Sequence, residues 1–346
     1  MLDAIPNTQL WERGPKIVAI GGGTGLSTML RGLKKYTKNL TAVVTVADDG
    51  GGSGMLRRDI GVPPPGDIRH CMESLANTEP IMERLLTYRF SDGVLAGQSF
   101  GNLILAALNG VTGSFEEAVR QMSQVLAITG QVIPVTSADV QLEAVFENGS
   151  QVVGESKICD FKKQQDCRIH HVNLIPAKPE PLPSALEAIR DADLILLGPG
   201  SLYTSVIPNL LVEGVPQAIA ETDALKIYIC NIMTQDGETE GYTAADHVQA
   251  LMEHGAPGMV DLCLVNCAPV PENLLGRYEE EGAVPLVVDR ERIAAMGLEL
   301  VERPVAREKG DFARHDPDKL AEAVLDIYRQ RAMRIFRGKN RYIIEE

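Results

Sequence analysis

The chain has 346 residues, 45% of them apolar and 23% charged, with a formal net charge of −14. That balance supports a sizeable globular core and excludes a general nucleic-acid binder, because a phosphate backbone needs a basic footprint. There is no apolar run near the length of a membrane span and no basic-then-apolar leader, so neither a spanning helix nor a signal peptide is expected. The six cysteines include no CxxC pair, which predicts a reducing, cytoplasmic setting and no zinc site.

Residues 17–20 read as a first strand. It empties into Gly21, Gly22, Gly23, Thr24 and Gly25 ahead of a helix over 26–35. A glycine turn between strand and helix presents several backbone N–H groups to one anion, usually a phosphate. The spacing Gly23-x-Gly25-x-x-Thr28 matches the dinucleotide fingerprint except at its third glycine. A second strand, 43–47, opens onto Asp48 and Asp49 and a further glycine run that includes Gly51 and Ser53. Asp48 stands where an acid in a dinucleotide fold holds ribose hydroxyls. Together with Asp49 it also makes a carboxylate pair of the kind that holds a divalent cation.

The prolines before Gly66 stiffen the approach to Asp67, which starts a helix over 67–77. Arg69, with Arg57 and Arg58 nearby, makes this segment a candidate phosphate clamp as well as a cap. Helices are expected over 81–88, 101–108 and 115–126, the second opening on Asn102, a candidate base or ribose contact. A strand at 131–135 follows. Asn148-Gly149 between two apolar runs then predicts a hairpin over 140–154. The polar, proline-punctuated stretch 159–183 reads as an excursion, so an insert spans about 140–180.

The α/β pattern resumes with a helix over 183–190 and strands at 194–197, 227–231, 262–265 and 286–288. The first of these empties into Gly198, Pro199, Gly200 and Ser201, followed by Tyr203, a second hydroxyl-rich glycine loop. Thr234, just past the next strand, is a further candidate for a base or sugar contact. Asp316 and Pro317 signal the start of a closing helix whose apolar face carries Leu320, Val324, Ile327 and Tyr328. Arg331, Arg334, Arg337, Lys339 and Arg341 make a basic tail, either a solvated helix end or a contact for an acidic partner or a membrane surface. No P-loop, GxSxG elbow or HExxH occurs. The expected architecture is a Rossmann-like, doubly wound, mostly parallel α/β sheet over 16–328 with a small β-hairpin excursion. An extension (1–15) precedes it and the tail (329–346) follows.

Five ordered blocks resemble the bacterial gluconeogenesis factor family, relatives of the 2-phospho-L-lactate transferases. They are KIVAIGGGTGLSTMLRGLK (16–34), TVADDGGGSGMLRRDIGVPPPGDIRHCMESLA (45–76), FGNLILAAL (100–108), GPGSLYTSVIPNLL (198–211) and NIMTQDGETEGYTAADHV (231–248). The family pattern more often reads DDGGSSGRLR in the second loop, so Gly52 and Met55 replace a serine and an arginine here. The resemblance implies a Rossmann-type fold and binding of UDP-sugars such as UDP-N-acetylglucosamine. It also implies a role in cell shape and growth on gluconeogenic carbon sources, cell-envelope synthesis proteins as partners, and a homo-oligomer. It brings no settled reaction. Two rivals stand beside this regulatory reading. One is a Mg²⁺-dependent transferase, with Asp48 and Asp49 at the positions where such relatives handle metal and acceptor. The other is an NAD-binding oxidoreductase, which lacks a His/Asp catalytic set here.

Overall fold

A computed structural model describes residues 11–165 and 167–341, with side chains in the last helix as far as residue 333. Strands β1 (Ile17–Gly21), β2 (Leu40–Val44) and β3 (Gln131–Pro134) form one half of a parallel sheet, and β7 (Leu194–Leu197), β8 (Leu225–Ile229), β9 (Leu262–Asn266) and β10 (Glu299–Arg303) form the other. The spatial order is β10-β9-β8-β7-β1-β2-β3, every neighbour pair parallel. β1, β2, β7 and β8 are buried along their whole length. That is why β1 and β7 read as unbroken apolar runs, and why β2 and β8 carry one polar residue each, Thr41 and Lys226, without alternating. The chain leaves β1 toward β2, then returns to start β7 on the other side of β1. The strand order therefore reverses between β1 and β7, and ligands of open α/β sheets bind at that point, outside the carboxyl ends of the strands.

Helices α1 (Gly23–Leu33), α2 (Gly51–Ile60), α3 (Gly66–Leu75), α4 (Pro80–Thr87), α5 (Phe100–Thr112) and α6 (Phe115–Val125) belong to the first half. The inserted sheet has the order β5-β4-β6, built from β4 (Gln141–Phe146), β5 (Gln151–Val153) and β6 (Ile169–Ile175), with α7 (Glu155–Gln165) between the last two. Asn148-Gly149 turns the β4–β5 hairpin, and Gly149 takes φ +82° there. The second half carries α8 (Pro183–Arg190), a π turn (Leu202–Val206), α9 (Ile207–Leu210), α10 (Val215–Glu221), α11 (Ala244–His254), α12 (Glu272–Glu280) and α13 (Arg290–Ala295). A hairpin of β11 (Ala306–Lys309) and β12 (Phe312–His315) precedes α14 (Pro317–Arg341). The Asp316 carboxylate caps α14 by accepting from the N–H groups of Asp318 and Lys319. The basic residues expected as a tail continue this helix to Arg341.

Four sequence expectations need correction. The glycine run after Asp49 is no open loop, because Gly51–Ser53 form the first turn of α2; glycine's poor helix propensity hid it. The polar stretch from 159 contains most of α7 and all of β6; α7 buries only Ile158 and Lys162, so it lacks an apolar stripe. Residues 286–288 form no strand, and Val287 makes only an isolated bridge to Thr243. The seventh sheet position belongs instead to Glu299–Arg303. This edge strand carries charged residues that discourage further pairing and also disguise it. The β2 and β8 strands lie three and two residues earlier than expected, at Leu40–Val44 and Leu225–Ile229.

Candidate functional site

Two glycine loops meet at the switch point. β1 ends at Gly21, and the turn enters α1 through Gly23 at φ +65°, a backbone conformation costly for residues with a side chain. Gly25 packs so closely on the second loop that a Cβ there would sit 2.5 Å from the Pro199 carbonyl oxygen. Asn209, fully buried, donates from Nδ2 to the Gly21 carbonyl at 3.2 Å and to the Ser205 carbonyl at 2.9 Å, fastening the loops together. Beyond Ser201 the chain makes the π turn Leu202–Val206. Glu238, fully buried, holds that turn by accepting from Tyr203 N–H (3.2 Å) and Thr204 Oγ1 (2.7 Å). Burial pushes its carboxyl up to about 7.

A crevice of about 500 Å³ opens over these loops. Gly22, Gly23, Thr24 and Gly25 form its floor with Pro199, Gly200 and Ser201. The segment after β8 supplies Thr234, Gln235 and Asp236 as one wall, where Ser201 Oγ donates to Gln235 Oε1 at 2.7 Å. Packed against that segment, α12 and β12 add Tyr278, Phe312, Arg314 and His315 to the lining. Tyr278 Oη accepts from Ala313 N–H at 2.9 Å, and the Arg314 guanidinium lies 4.8 Å from the centre of the Phe312 ring. His315 is 8% exposed, and its Nε2 has no protein partner among the described residues. Burial keeps its imidazole neutral, lowered to about 4. An apolar-bodied pocket with a few convergent polar groups is the usual form of a small-molecule site. A broader groove of about 950 Å³ lies at the opposite, amino-terminal ends of β7 and β8, away from the strand ends that carry chemistry in this fold.

An acidic cluster adjoins the floor. Asp67 lies against Gly22 and Gly23, and its carboxyl is pushed up to about 7 by burial and then by the Asp48 charge. Asp48 Oδ1 accepts from Gly50 N–H at 2.8 Å, and burial raises its pKa. Asp49 points elsewhere: its Oδ1 accepts from Ser156 N–H at 2.9 Å, capping the first turn of α7 from across the chain. Among the described residues no three His, Cys, Asp or Glu side chains converge to hold a metal. The Asp48–Asp67 pair fits only a cation of the Mg²⁺ type, which binds through one or two carboxylates and keeps water and substrate phosphates as its other ligands.

The residues singled out from sequence thus divide. Gly22–Gly25, Pro199–Ser201 and Thr234 share the crevice, and Gly21 and Gly198 shape its floor from behind. Arg69 and Asn102 do come together, but inside the protein. Arg69 Nε donates to Asn102 Oδ1 at 2.8 Å, while Nη1 pairs with Glu73 at 2.5 Å and Nη2 meets His70 Nε2 at 2.6 Å. Gly51 and Ser53 belong to α2, Ser53 being buried there. Tyr203 is buried with its hydroxyl on that of Tyr242 at 2.8 Å. None of Arg69, Asn102, Gly51, Ser53 or Tyr203 lines the crevice. Sequence reasoning missed Lys163, Tyr278, Phe312, Arg314 and His315. Gly310-Asp311 between two short runs was the available sign of the β11–β12 hairpin.

The fold is that of a Rossmann-like α/β protein with a crevice at its topological switch point. Residues 17–306 match the family model of the 2-phospho-L-lactate transferase CofD. The gluconeogenesis factor of Bacillus subtilis is 48% identical over 317 residues, 91% of this chain and 99% of that protein. The gluconeogenesis factor of Halalkalibacterium halodurans is 46% identical over 90% of this chain and 95% of its own length. A crystal structure of a UPF0052 family member from Bacillus halodurans superposes with a TM-score of 0.85 at 45% identity, covering 89% of this chain and 99% of that one. The chain belongs to the gluconeogenesis factor family, within the CofD-like fold.

Proposed function

We propose that this protein is a regulator that binds a nucleotide sugar of the UDP-N-acetylglucosamine type in the crevice, acting in the cytoplasm in cell morphogenesis and growth on gluconeogenic carbon. The observation that carries this reading is the Gly25–Pro199 contact. It joins two glycine turns on one floor of a crevice that Tyr278, Phe312 and Arg314 also line. A ligand with a diphosphate centre and two dissimilar ends suits such a crevice. The turns take the phosphates with backbone N–H groups, and the aromatic–guanidinium wall takes a flat or polar end. The lining has cations at Lys163 and Arg314 and anions at Asp236 and Glu281, so it offers recognition and little excess field despite the acidic chain.

The CofD match favours a second reading, a transferase with a nucleotide diphosphate donor. Asp48 and Asp67 would hold a Mg²⁺ ion, whose chemistry is to neutralise charge on a leaving phosphate. In that reading the chain's own part is to seat the donor on Gly22–Gly25 and to exclude water. Thermal-shift measurements against UDP-N-acetylglucosamine, UDP-glucose, NAD and GDP, with and without Mg²⁺, separate the readings. A ligand at a hundred times its Kd stabilises by about 2.7 kcal/mol. A shift with the uridine ligands supports the regulator; a shift confined to GDP with Mg²⁺, or to NAD, overturns it.

A further inference from the structure

The inserted subdomain reaches the crevice through a single helix. α7 is tied at its start by Asp49, which accepts from Ser156 N–H. Toward its end, Lys162 Nζ pairs with Glu240 at 3.0 Å and Lys163 Nζ pairs with Asp236 at 2.5 Å. The two lysine pairs differ in setting. The Lys162 side chain is 4% exposed, whereas Lys163 is 49% exposed and lines the crevice together with Asp236. Lys162 therefore anchors the helix, and its neighbour projects into the ligand space. Gly237 permits this approach, since a Cβ there would stand 3.1 Å from both the Cys159 carbonyl oxygen and Lys163 Cε. Asp236 in turn follows Gln235, which holds Ser201 on the second glycine loop. The lysine is thus linked through two residues to the floor where an anion would rest. The other cation of the lining, Arg314, is stacked on Phe312.

We propose that Lys163 is a phosphate-binding residue which leaves Asp236 for the ligand's diphosphate, so that α7 closes the crevice from the inserted subdomain. The inference rests on the nucleotide-sugar reading above and adds the residue and the element that secure the ligand's charged centre. Exposed ion pairs contribute little, so giving up Asp236 costs little. A charge-assisted bond to phosphate is shorter and stronger than a neutral one, and the backbone turns supply only neutral donors. Asp236 serves as a placeholder that keeps the ammonium over the floor before the ligand arrives.

Calorimetric titration with UDP-N-acetylglucosamine tests this on the full chain and on K163M, K163R and D236N. K163M should bind about tenfold to a hundredfold more weakly, the loss expected for one hydrogen bond to a charged group. K163R should keep most of the affinity, and D236N should bind at least as tightly as wild type because the competing carboxylate is gone. Unaltered affinity in K163M overturns the inference. So does a D236N variant as impaired as K163M, which would make the ion pair a structural requirement. A wild-type protein that binds no UDP-N-acetylglucosamine overturns the ligand reading and this inference with it. Wild-type binding combined with a silent K163M overturns only the inference.

Discussion

Replacing Gly25 with alanine probes the junction on which the crevice depends. The new Cβ would lie 2.5 Å from the Pro199 oxygen, 2.8 Å from its carbonyl carbon and 3.1 Å from Gly200 Cα. Carbon atoms at rest sit about 3.5–4.0 Å apart, so the loops must part by roughly 1 Å. All three obstacles are backbone atoms, fixed by β7 and the π turn, so no side chain can swing aside. Overpacking of this kind costs about 1–3 kcal/mol. Against it stands the helix propensity of alanine, about 1 kcal/mol better than glycine in α1. Because the obstacles are rigid backbone, the cost belongs in the upper part of that range, about 2–3 kcal/mol, and the clash should win by about 1–2 kcal/mol. At about 2.1 cal/mol/K of unfolding entropy per residue, that lowers Tm by about 1–3 °C for a chain of this size. G276A is the control: Gly276 lies within α12 with no atom within 4 Å of an added Cβ, so it should gain up to about 1 kcal/mol. Calorimetric melting of both variants, with nucleotide-sugar titration of G25A, decides the matter. A G25A protein that melts at or above wild type and binds ligand undiminished would refute the idea that the two loops form one fitted floor.

Three further outcomes follow from the same geometry. D49A should release the cap of α7 at a cost of about 0.5–2 kcal/mol, seen as faster hydrogen exchange confined to 155–165; unchanged exchange there would return Asp49 to the candidates for metal or acceptor handling. Glu238 titrates at about 7 in the folded protein against an ordinary value of 4.5. The folded state therefore holds the extra proton across that window, and this contribution, complete below 4.5, is lost as pH rises through 7. The Tm of E238Q relative to wild type should consequently rise between pH 5 and 8, and a flat difference would mean that the carboxyl is not protonated in the fold. R69M leaves Glu73 buried without its partner, so it should cost about 3–5 kcal/mol, or about 4–7 °C in Tm, with nucleotide-sugar affinity retained below the transition; weakened binding with an unchanged Tm would restore Arg69 as a ligand contact.

Local chemistry in the sequence determined much of this molecule. The apolar runs at β1 and β7 had to be interior parallel strands, because both their faces are covered. The glycine turns after them needed backbone freedom and close approach, and both occur at Gly23 and Gly25. Asn148-Gly149 could make only a tight hairpin, and Asp316-Pro317 only a helix start. The tertiary structure decided what those pieces do together. Asp48 and Asp49 are adjacent in sequence, yet one faces Gly50 and Asp67 while the other caps a helix 107 residues away. Arg69 and Asn102 have the composition of ligand contacts, but the packing of α3 and α5 turns them toward each other. Tyr278, Arg314 and Lys163 belong to no local motif. They reach the crevice only because α12, the β11–β12 hairpin and the inserted α7 fold back over the carboxyl ends of β1 and β7. Strand and turn propensities act over a few residues and are written locally, whereas the walls of a crevice are set by which distant elements cover the same sheet edge.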